Sequence, residues 1–66
     1  MELTVNGERH EHAGEGRLVE LFEELGADPE RVAVMVNGEV VTAAKREAIR
    51  LRPGDEIEVL TFVGGG

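Results

Sequence analysis

The chain ends in Gly64-Gly65-Gly66, where the α-carboxylate of Gly66 is the only reactive group. Three successive residues without a Cβ present nothing that would obstruct a narrow channel, and they give the backbone wide φ/ψ freedom. A carboxylate is a poor electrophile until something activates it. Taken alone, the glycines fit two descriptions: a frayed terminus, or a side-chain-free tail built for insertion into another protein.

The remaining catalytic inventory is thin. His10 and His12 fall at period two, which on a strand puts both imidazoles on one face, where they could approach a metal. Two ligands with no cysteine make a poor metal set, and the expectation is no metal site and a partly buried or surface pair. The absence of Cys excludes a disulfide framework, a thiolate site and a thiol nucleophile. Tyr and Trp are also absent, and a chain of 66 residues rarely encloses a small-molecule pocket. The chain therefore reads as something other than an autonomous enzyme, with no tightly bound cofactor.

Charge narrows the partners. Fourteen acidic against seven basic residues give a net charge of -7, which opposes nucleic-acid binding, because phosphate contacts need clustered Lys and Arg. A basic protein partner fits the charge, and so does a simple solubility role. No apolar run approaches the roughly 20 residues that cross a bilayer, and the start lacks a signal-peptide layout. The expectation is no membrane association and a cytoplasmic location.

The elements that must position the tail follow from periodicity. Residues 1–5 alternate, with Leu3 and Val5 on one side, and Asn6-Gly7 supplies the positive φ values of a two-residue hairpin turn. The return strand, residues 8–12, has no apolar residue and belongs at a sheet edge. After a loop at 13–16, Leu18, Leu21, Phe22 and Leu25 recur at helical spacing and predict a core-facing amphipathic helix over 17–25. Gly26 caps it, and Glu20, Glu23 and Glu24 take the wet side. Val32, Val34 and Val36 share one face of a third strand, Asn37-Gly38 repeats the hairpin signal, and residues 39–41 return as a short fourth strand. Residues 42–50 read as a surface segment with one helical turn, anchored by Ile49 and Leu51.

Arg52-Pro53-Gly54-Asp55 is a turn with Pro and Gly in type II positions, and it launches the last strand. There Ile57, Val59 and Thr61 alternate with Glu58, Leu60 and Phe62. With the first set facing the helix, Leu60 and Phe62 lie on the outer face beside the tail and are candidates for docking a partner. The order of strand, strand, helix, strand, short strand and final strand returning to the middle predicts an α+β, β-grasp (ubiquitin-like) fold. It would be a mixed sheet of about five strands with one main helix, a single domain over 1–66 with a flexible tail at 64–66.

The stretches Val5-Asn6-Gly7, Leu18 through Gly26, Val34 through Val41, Pro53 through Val59 and Thr61 through Gly66 together resemble ThiS, the ubiquitin-like sulfur carriers of thiamine biosynthesis. The likeness runs along essentially the whole chain. It departs at His10 and His12, where Val is usual, and at 42–47, which lacks the Pro and Trp that many members carry. The resemblance implies that the Gly66 carboxylate is adenylated by a ThiF-like, ATP-using enzyme. A sulfur donor such as a cysteine desulfurase system then converts it to a thiocarboxylate, and a ThiG-like thiazole synthase takes the sulfur. On that reading Gly64 and Gly65 thread into the partner while Leu60 and Phe62 dock, and the chain is a protein co-substrate.

Two alternatives remain at this level. A MoaD-like carrier would feed molybdopterin synthesis or tRNA thiolation with the same fold and terminus, and the short length together with the Thr61-Phe62-Val63-Gly64 approach favours thiazole formation. A ubiquitin-like modifier or a non-reactive interaction module would share the body and use the tail differently or not at all.

Overall fold

The computed structural model describes residues 1–62. Apolar alternation in β1 (Glu2–Val5) places Leu3 and Val5 in the interior, and the chain turns at Asn6 and Gly7, both at positive φ, into β2 (Glu8–Glu11). Helix α1 (Leu18–Leu25) follows, with Leu18, Leu21 and Phe22 buried and Gly26 in the left-handed conformation at its C-terminus. A 3-10 turn, Pro29–Arg31, leads into β3 (Val32–Val36), and a second Asn-Gly turn into β4 (Glu39–Val41). The stretch Ala43–Ala48 is 3-10 helix, and β5 (Glu56–Thr61) completes the sheet.

The five strands are ordered β2-β1-β5-β3-β4. β5 lies parallel to β1, and every other pairing is antiparallel. This mixed sheet with one main helix across it is the expected β-grasp architecture, with β2 at an edge and the last strand in the centre. The core is a single cluster between sheet and helix, built from Leu3, Val5, Leu18, Leu21, Phe22, Val32, Val34, Val41, Leu51, Ile57 and Val59. Burying each Leu or Phe in it contributes roughly 1.5–3 kcal/mol. Among the described residues, no helix is long and apolar enough to cross a membrane.

The segment between β4 and β5 is held down by Arg46. Its guanidinium donates to Pro29 O at 2.7 Å and Val32 O at 2.8 Å, and lies 5.4 Å from the centre of the Phe22 ring. Leu51 is buried and Ile49 half-buried, as the sequence anticipates.

Two expectations for α1 need correction. Leu25 is 37% exposed, because the helix ends there and the αL cap turns the chain before the last turn can pack. Glu20 and Glu24 are not simply solvated. Glu20 reaches back over the helix start, accepting from the N–H of Glu15 in the preceding loop (2.9 Å) and from that of the N-cap residue Arg17 (3.1 Å), the second as in a capping box. Those bonds lower its carboxyl below the usual range. Glu24 turns toward β2, where it meets both histidines.

Candidate functional site

β5 is the element from which the chain leaves the sheet, and its alternation divides it between two faces. Ile57 and Val59 are buried under α1, whereas Leu60 is 56% and Phe62 63% exposed on the outer face, where the sequence places them. The register adds neighbours that the sequence alone could not assign. Leu60 lies opposite Ala33, and Met35 lies between Glu58 and Val40. Val40 is 68% exposed, with Ala33 and Met35 half-buried. The β5-β3-β4 half of the outer face is thus apolar around Leu60, and the β5-β1-β2 half carries Glu2, Arg9, Glu56 and Glu58, with Arg9 paired to Glu2. Gly64, Gly65 and Gly66, the other site residues expected from the sequence, lie outside the described residues.

Both sides of β5 are fixed by asparagines from the two hairpin turns. On the β1 side, Thr4 N–H donates to Asp55 O at 3.0 Å and Asn6 N–H to Ile57 O at 2.9 Å. There β1 stops, and the Asn6 side chain takes the next rung, Nδ2 donating to Val59 O at 3.2 Å and Oδ1 accepting from Val59 N–H at 2.8 Å. On the β3 side, Asn37 N–H donates to Glu56 O at 2.7 Å, and Asn37 Oδ1 accepts from Glu56 N–H at 2.9 Å. Asn37 Nδ2 donates to Asp55 Oδ1 at 3.0 Å. Sequence reasoning assigns both asparagines only to turns. The signal that they do more is the repeated tetrapeptide Val-Asn-Gly-Glu at 5–8 and 36–39, one copy flanking each edge of β5.

The histidine pair lies on the helix-facing side of the sheet. His10 Nε2 and His12 Nδ1 both donate to Glu24 Oε1 at 2.8 Å, and Ala13 N–H donates to Oε2 at 2.8 Å. His12 is 1% exposed. Its Nε2 accepts from Gly16 N–H at 3.0 Å, which leaves Nδ1 to carry the proton donated to Glu24. Burial pushes the Glu24 carboxyl up, but the bonds from His10, His12 and Ala13 outweigh it and hold the group at about 2. The cluster therefore joins an apolar-free edge strand to α1 by polar bonds, well away from the end of β5.

Comparison with known proteins places this geometry. The family model described as the ThiS family matches residues 3–66. The crystal structure of the thiamine biosynthesis protein ThiS from Geobacter metallireducens is 39% identical, with all of both chains covered and a TM-score of 0.80. The solution structure of a thiamine biosynthesis protein from the same organism is 36% identical with a TM-score of 0.78, covering all of this chain and 88% of that one. Two curated relatives, thiazole synthases of Paramagnetospirillum magneticum and Magnetococcus marinus, are 35% and 41% identical over all 66 residues. This chain spans 20% of the length of each. Fold, register and a family match running through the terminal glycines lead to one assignment: the chain belongs to the ThiS family.

Proposed function

We propose that this chain carries sulfur for thiazole formation in thiamine biosynthesis, as a thiocarboxylate on Gly66, and that it is a co-substrate of other enzymes and not itself an enzyme. The observation that supports this most is the junction at the end of β5. A central strand clamped on both sides by asparagines leads, past an exposed Leu60 and Phe62, toward three glycines that fall within the family match.

Activation is the step such a terminus needs. In the reading proposed here, a carboxylate oxygen of Gly66 attacks the α-phosphate of ATP on a ThiF-like enzyme and pyrophosphate leaves. The acyl adenylate is a mixed anhydride, so the terminal sulfur of a donor persulfide, as a cysteine desulfurase system supplies it, can attack the acyl carbon and expel AMP. A thiol then reduces the resulting acyl disulfide, leaving the thiocarboxylate on Gly66 and the donor sulfur in a disulfide with that thiol. A ThiG-like thiazole synthase then takes the sulfur. ATP supply places these steps in the cytoplasm. Residues 1–66 act as one domain, with Gly64 and Gly65 as the inserted stretch.

Threading a glycine tail is costly, since ordering each residue costs about 1–2 kcal/mol. Docking must offset that, and Leu60 and Phe62 are the surface for it, each worth roughly 1.5–3 kcal/mol when buried. The experiment is intact mass spectrometry after incubation with the activating enzyme from the same genome, ATP and a sulfur source. A gain equal to the replacement of one oxygen by sulfur, located on Gly66 by fragmentation, is expected. An unchanged mass under conditions that load another ThiS-family member overturns the proposal.

A further inference from the structure

Among the described residues, the hydrogen-bond parity of β5 leaves one main-chain rung open, at Thr61. Phe62 N–H donates to Arg31 O, and Asn37 N–H donates to Glu56 O, so positions 56, 58, 60 and 62 turn their main-chain groups toward β3. Positions 55, 57, 59 and 61 therefore face the β1 side. Three of those four are occupied: Asp55 O by Thr4, Ile57 O by Asn6, and Val59 by the Asn6 amide. Thr61 is next, and β1 has already turned away at Asn6-Gly7. Among the described residues, neither the N–H nor the C=O of Thr61 has a partner on that side, and Thr61 is exposed.

A buried strand with one unpaired rung at its end is a template for another chain's backbone. We propose that an extended segment of thiazole synthase pairs with β5 at Thr61, filling the slot beyond Asn6 and continuing the sheet into the partner. The inference rests on the carrier reading and specifies how the tail is presented. Main-chain pairing at Thr61 would fix the direction in which the following residues enter the partner, which side chains alone cannot do for glycines.

The surroundings define the incoming strand. Its outward-facing side chains would lie against Leu60 and Phe62, which calls for apolar residues there. Glu58 lies on the same outer face, two positions before Leu60, and the chain carries a net charge of -7, so a basic residue belongs at the neighbouring position.

Proline at position 61 isolates the claim. Thr61→Pro deletes an N–H that makes no bond within the described chain and leaves the β3-facing groups of Leu60 and Phe62 in place, as proline is tolerated on a strand side without a partner. Thr61→Val keeps the N–H. With thiazole synthase from the same genome as the probe, calorimetry should show T61V binding as the parent does and T61P binding at least about tenfold more weakly. Amide hydrogen exchange on the parent chain provides a readout independent of any variant: the Thr61 N–H should exchange quickly alone and become protected in the complex. Equal affinity of a folded T61P and T61V, or an unprotected Thr61 amide in the complex, overturns the pairing. If the parent chain still gains the sulfur mass in that case, the carrier reading stands and only the pairing falls; no mass gain and no binding to the synthase removes both.

Discussion

The Asn6 amide holds the main chain of Val59 at two points, donating to its carbonyl at 3.2 Å and accepting from its N–H at 2.8 Å. These residues are 53 positions apart in sequence, so the bond pair ties the first hairpin to the last strand. Asn6 also has φ 51, which glycine adopts without cost. Asn6→Gly therefore preserves the turn and removes only the clamp. A loss of about 1–3 kcal/mol is expected from urea denaturation, with faster exchange of the Val59 amide. Unchanged exchange at Val59 would show that the strand end is held by β3 alone.

The Glu24 cluster gives a pH dependence with a definite sign. The carboxyl is ordinarily near 4.5 and is held at about 2 in the folded chain. A depressed carboxylate contributes stability that is complete above its unfolded value and is lost as pH falls toward its folded one. Stability should therefore decline between about pH 4.5 and about pH 2. Glu24→Gln should flatten that part of the curve while lowering stability at neutral pH, since the remaining acceptor must serve His10 and His12 without its charge. Thermal melts of both proteins across this window are the check, and parallel curves would contradict the assignment.

Gly16 and Gly7 both have positive φ, +93 and +80, yet their surroundings differ. A Cβ at Gly16 would sit 2.7 Å from Leu51 O, whereas one at Gly7 would meet nothing within 4 Å. Gly7→Ala should cost about 1–2 kcal/mol from backbone strain alone. Gly16→Ala adds a clash with main chain, about 1–3 kcal/mol more, and loosens the 2.7 Å bond from Leu51 N–H to Gly16 O that pins the segment before β5. Equal melting temperatures for the two variants would rule this out.

How much of this was legible depended on whether a feature is local. The strands, both Asn-Gly turns, the Gly26 cap and the outward placement of Leu60 and Phe62 follow from period and turn chemistry within a few residues. The arrangement of β5 at the sheet centre came from element order. What stayed hidden required partners distant in sequence. Glu24 is indistinguishable from Glu23 by spacing until β2 brings His10 and His12 to the helix, and that encounter is also how an edge strand without apolar residues is held. Asn6 and Asn37 each satisfy the local rule for a turn, and their second task shows only once β5 lies between them, although the repeated tetrapeptide marks it. The apolar outer patch needed the register to place Ala33, Met35 and Val40 beside Leu60.

Docking and chemistry can be separated at the end of the chain. Leu60 and Phe62 are more than half exposed, so Leu60→Ser and Phe62→Ser should change stability by no more than about 0.5 kcal/mol. If they dock a partner, each should weaken binding to thiazole synthase about tenfold or more, in line with truncating an interface anchor. One alanine added after Gly66 tests the other half. It leaves every described contact in place, so folding and docking should persist, but it moves the carboxylate one residue beyond the point where the reading requires it. The expected pattern is crossed: the serine variants lose affinity and still accept sulfur at saturating partner concentration, while the extended chain binds and gains no sulfur mass. Loading of the extended chain at the parent rate would mean that the terminus is not read as a fixed-length tail, and the carrier reading would fail with it.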